Sequence, residues 1–97
     1  MINELPIPQD AIEEAESNEI IRGWLVNGKL QISLLPTIWE DEPETWGLLL
    51  ADTAQHISNA ISESTGTSKE EIINKIKTLL INELNSPTAE VEGDFVK

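Results

Sequence analysis

The stretch from Trp46 to Ile61, WGLLLADTAQHISNAI, constrains this chain more than any other. Trp46, Leu49, Leu50, Ala54, Ile57 and Ile61 recur at helical spacing and form an apolar stripe that has to be covered. Beside it runs a second stripe of small side chains, Gly47, Ala51, Ala54 and Ser58, which lets another element approach closely. The pattern predicts a helix over about residues 43–65. Asp41 or Glu42 is its expected N-cap, Pro43 suits the first turn, and Gly66 stands where a left-handed C-cap belongs. A second helix is expected over about 68–85, on the periodicity of Ile72, Ile73, Ile76, Leu79, Leu80 and Leu84. Ser68 and Glu71 have capping-box spacing, and Thr67 with Glu70 competes for the same role. Glu71 and Lys75 are spaced for an i,i+4 ion pair. Few residues separate the two helices, which predicts that they pack antiparallel. Ser86-Pro87 ends the second one.

Upstream, two apolar-rich runs, IIRGWLV and KLQISLL, flank Asn27-Gly28. Asn-Gly is the preferred pair for a two-residue type I′ turn, whose central residues both need positive φ. A hairpin over about 19–35 follows, with Val26 facing Lys29, Leu25 facing Leu30, Trp24 facing Gln31 and Ile21 facing Leu34. One face then carries Ile21, Leu25, Leu30, Ile32 and Leu34, with Gly23 as a gap wide enough for a Trp from elsewhere. That is the expected core face. The other carries Arg22, Trp24, Val26, Lys29, Gln31 and Ser33.

Residues 1–18 read as an extended lead-in with a short turn or helix, because Pro6 and Pro8 push the residues before them into extended conformations. Residues 87–97 read as a partly ordered tail, with Val91 and Phe95 suited to a further short strand. The fold expected is therefore α+β, a single domain over 1–97, with two antiparallel helices packed on one face of a β-hairpin. Two strands alone are marginal. The missing pairing could come from the C-terminal stretch, from the lead-in, or from a second copy joined edge to edge.

Charge excludes several functions. Eighteen acids against six bases give a net charge of -12. Nucleic acid binding and anionic membrane surfaces both call for basic surface, so neither is an expected partner. The acids cluster in residues 4–19 and 40–44, whereas residues 20–39 hold Arg22 and Lys29 and no acid. No cysteine is present, so there is no disulfide framework and no thiolate metal site. MINELPIPQD has neither a basic n-region nor an apolar h-region, and no apolar run is long enough to span a bilayer. The expected location is the cytoplasm.

Chemistry-bearing constellations are sparse. Asp52 and His56 are helical neighbours, and a carboxylate there can hold an imidazole tautomer and raise its pKa. They are the candidate catalytic pair, against the simpler reading of a local helix ion pair. One histidine and no cysteine make no structural zinc site, and no metal or other cofactor is expected. No G-x-S-x-G occurs, and Gly23, Gly28, Gly47, Gly66 and Gly93 lie too far apart to cradle a phosphate. Trp39 and Trp46 read as core anchors. Trp24 shares the second sheet face with Arg22, and that pair is the candidate intermolecular interface, since Trp and Arg are enriched at binding hot spots.

Glu4-Leu5-Pro6-Ile7-Pro8, Arg22, Trp24, Trp46-Gly47, Leu50-Ala51-Asp52, His56 and Ser86-Pro87-Thr88 together resemble a family of small bacterial proteins of unknown function. The resemblance covers most of the chain and is most specific from Trp46 to His56 and at the Ser-Pro-Thr end. It implies a bacterial source and a small stand-alone protein, and it places Asp52 and His56 in the family pattern. It brings no reaction, cofactor or partner. The expected function is protein–protein interaction as a homo-oligomer, a dimer in the simplest case, rather than catalysis. The alternative is a small-molecule-binding protein or enzyme that uses Asp52 and His56.

Overall fold

In a computed structural model, residues 1–86 and 94–95 are described, and the α+β layout is a two-strand antiparallel hairpin followed by two long helices. The described residues fall into two compact units, residues 1–38 with 94–95, and residues 39–86.

In the first unit, a short helix α1 (Gln9–Glu13) precedes strands β1 (Ile21–Val26) and β2 (Lys29–Leu34). The register runs from Val26 opposite Lys29 to Ile21 opposite Leu34. Asn27 and Gly28 have φ of 52° and 79°, the left-handed pair a type I′ turn demands. A hydrogen bond from the Leu35 N–H to the Ile20 carbonyl (2.9 Å) carries the pairing one step further. A two-residue strand β3 (Asp94–Phe95) lies parallel to β2, with Ser33 opposite Asp94 and Leu34 opposite Phe95. The sheet order is thus β1-β2-β3, and the expected C-terminal strand exists over these two residues. Val91, Pro87 and Thr88 lie outside the described residues.

Both sheet faces are partly covered. On the expected core face Ile32 and Leu34 are half-buried and Ile21, Leu25 and Leu30 are exposed; on the other, Arg22, Trp24 and Ser33 are half-buried and Val26, Lys29 and Gln31 are exposed. An ion pair ties the lead-in to Arg22 on that second face. Gly23 is not filled by a Trp. A Cβ there would meet only Leu30 Cδ1, at 3.9 Å.

A 3-10 turn (Pro36–Trp39) ends the first unit in the sequence, and in the second a three-residue loop joins α2 (Thr45–Thr65) to α3 (Lys69–Asn85). Helix α2 starts two residues later than the sequence suggests. The Trp46 N–H bonds to Pro43 O (3.1 Å) and the Gly47 N–H to Glu44 O (2.9 Å), so tight i,i+3 turns occupy the entry and Glu44 is the N-cap. Trp39 meets Trp46 edge to face, with ring centroids 5.1 Å apart, and anchors that entry.

The loop between the helices is closely bonded. Gly66 takes a φ of 78° and donates its N–H to Ser62 O, and Ser62 Oγ donates to Thr67 O at 2.8 Å. Ser68 Oγ accepts the Glu71 N–H at 3.1 Å, so Ser68 wins the capping position over Thr67. No ion pair joins Glu71 and Lys75. Replacing Ser68 with Ala should lower stability by about 1 kcal/mol, whereas Asp should retain most of it. Thermal melting followed by circular dichroism separates the two, and equal melts would show that the cap contributes nothing.

Helices α2 and α3 pack on each other. Of the small stripe only its C-terminal half is covered, with Ala54 half-buried and Ser58 buried, whereas Gly47 and Ala51 are exposed. Ser58 is fully buried, and its hydroxyl donates to Ala54 O at 2.8 Å, so no polar atom is orphaned there. Helix α3 contributes Ile72, the one buried apolar side chain among the described residues. Leu48, Leu50, Ile57, Ile61, Leu79, Leu80, Ile81 and Leu84 are exposed.

Candidate functional site

The charged centre of the first unit is Arg22. Its Nη1 lies 3.1 Å from Glu4 Oε2, and its Nη2 donates to Glu19 Oε2 at 2.9 Å. Strand β1 aims Arg22 and Trp24 to one side because side chains two apart share a face. Glu19 lies just before the strand, close enough to reach back. Glu4 arrives from the lead-in, whose Pro6 and Pro8 hold it extended. The Arg22 guanidinium is held charged beyond its ordinary value, first by the hydrogen bond to Glu19, then by that carboxylate's charge, with Glu4 adding a smaller share.

Between lead-in and strand lies a cleft of about 520 Å³, lined by residues from Asn3 to Trp24. Leu5, Pro6, Ile7, Ile21 and Trp24 supply most of its apolar wall. The size falls within the range of ligand clefts, about 300–1,000 Å³. Arg22 already faces two carboxylates, so the trio carries one net negative charge and has no cationic capacity left for an anion. The wall suits an uncharged or cationic apolar group.

Arg22 and Trp24, offered by the sequence as an intermolecular interface, both line this cleft within the chain. Sequence reasoning missed Glu4 and Glu19 as partners of Arg22. The i,i+3 spacing of Glu19 was a usable signal. The Glu4 contact is long-range and had none beyond the family pattern. Asp52 and His56 lie on α2 and are both exposed, and no hydrogen bond or ion pair joins them. Neither lines the cleft. Among the described residues, no group of three or more His, Cys, Asp or Glu is placed to hold a metal ion. No helix among them is long and apolar enough to cross a membrane.

A β-hairpin whose first strand carries a braced arginine, followed by a helical hairpin, defines a small α+β protein. The chain belongs to the family described as a domain of unknown function (DUF5076), whose model matches residues 4–88. It is similar to a solved structure from the photosynthetic bacterium Rhodopseudomonas palustrus CGA009, described as a "putative pyruvate dehydrogenase". The two share 25% identity and a TM-score of 0.81, over 100% of this chain and 98% of that one. No curated protein matches the chain.

Proposed function

We propose that this is a cytoplasmic bacterial protein that acts through protein–protein contacts as a homodimer. One observation carries the reading: none of residues 1–38 is buried, although Ile21, Leu25, Val26 and Leu30 are large and apolar. Apolar surface left this open on a small unit is the kind that association covers. This chain has no cysteine, and its described residues offer no metal cluster to stabilise the unit instead. The dehydrogenase name of the Rhodopseudomonas protein finds no support in these residues. The glycines form no phosphate-cradling loop, and Asp52 and His56 do not meet as an acid–base pair.

Sedimentation equilibrium tests the reading. The expected result is a species of about twice the 10.8 kDa chain mass at micromolar concentration. A concentration-independent species at the chain mass would overturn it.

A further inference from the structure

We infer that the cleft between the lead-in and β1 binds a small organic cation, a primary ammonium carried on an apolar body. This goes beyond the homodimer reading, because the described lining residues, from Asn3 to Trp24, all belong to one copy. A volume of about 520 Å³ admits a ligand of that class.

Charge decides the sign of the ligand. Glu4, Glu19 and Arg22 are the ionisable side chains among the described lining residues, and two carboxylates against one guanidinium leave one negative charge. No Lys, Arg or His precedes Arg22 in the chain, whereas Asp10, Glu13, Glu14 and Glu16 stand in the same segment. The potential around the lead-in is therefore negative, which repels anions and draws in cations. An uncharged ligand fails for a different reason. Covering the trio with apolar surface strips water from a carboxylate that Arg22 leaves unneutralised, and that desolvation is costly. A cation supplies the missing charge as it displaces the water.

The carboxylates have room for it. Both hold Arg22 through Oε2, at 3.1 Å from Glu4 and 2.9 Å from Glu19, and no hydrogen bond or ion pair among the described residues engages either Oε1. The two side chains are 51% and 57% exposed, so a ligand reaches them from solvent. A primary ammonium brings N–H donors, and its bond to a carboxylate oxygen is charge-assisted. The apolar body has its own wall in Leu5, Ile7, Ile21 and Trp24. Trp24 shares the strand face of Arg22, so an indole stands beside the charged trio, and its ring quadrupole favours a cation over a neutral group.

Three ligands of one shape test the site: 4-phenylbutylammonium, 4-phenylbutanol and 4-phenylbutyrate, each titrated to about 10 mM against nitrogen-15-labelled protein. The ammonium should give saturable shifts at the Arg22, Gly23 and Trp24 amides, bind about tenfold tighter than the alcohol, and leave the butyrate as the weakest of the three. Glu4→Gln brings the trio to neutrality and should weaken the ammonium about tenfold while the alcohol stays within about twofold. Glu19→Gln neutralises it equally, keeps the Glu4 tether, and serves if the first variant loses the wild-type circular dichroism spectrum. Glu14→Gln removes the same charge from an exposed residue outside the cleft and should change neither affinity. Absence of shifts with the ammonium, shifts confined to residues outside the cleft, equal affinity for all three ligands, or ammonium binding unchanged in both Glu4→Gln and Glu19→Gln overturns the site.

Discussion

Replacing Ile72 with Ala is expected to cost about 2–4 kcal/mol of stability, as truncation of a buried Ile does elsewhere. In a chain of this size that corresponds to a fall in Tm of roughly 10–20 °C. The effect is concentrated because Ile72 is 7% exposed and is the one buried apolar side chain among the described residues. Thermal melting at 222 nm measures it. Leu84→Ala, at 73% exposure on the same helix, is the comparison and should change the melt by less than about 0.5 kcal/mol. A smaller loss at position 72 than at position 84 would mean that α3 packs through a different face.

The second large effect runs in the opposite volumetric direction. Ser58→Leu should cost at least about 1–3 kcal/mol, because the added side chain has nowhere to go at a fully buried position between two helices. Ser58→Ala should stay within about 1 kcal/mol. The Ser58 hydroxyl bonds only to Ala54 O, a carbonyl of its own helix, and its loss leaves no buried group unpaired. The pair of variants separates space from hydrogen bonding. Denaturant titration with equal midpoints for Leu and Ala at position 58 would show that the helices do not approach there.

Much of the fold is readable because it is local. Asn27-Gly28 specifies a turn that specifies a register, and the structure follows that register through all six pairs. Gly66 and Ser68 mark the helical turn by conformations and bonds made within a few residues. The contact between Glu4 and Arg22 is different. It depends on where the lead-in travels, which neither residue encodes alone. Asp52 and His56 illustrate the converse. Helical spacing permits them to meet, yet solvent competes for both exposed groups and no bond forms between them. Apolar periodicity likewise identified the α3 stripe but not that Ile72 alone would be enclosed, since enclosure depends on the opposing helix.

The parallel pairing of β3 with β2 has a consequence for the order of events during synthesis. Ser33 and Asp94 are partners across the whole length of both long helices. The sheet unit is therefore discontinuous in the chain, with the helical unit inserted between its second and third strands. A hairpin closed by a two-residue turn forms on a microsecond scale, whereas residues emerge from the ribosome over many seconds. The β1–β2 hairpin thus waits through translation of both helices with its β2 edge open until β3 exists. A nascent chain carrying this hairpin is exposed to strand pairing with its neighbours on a polysome well before its own third strand exists.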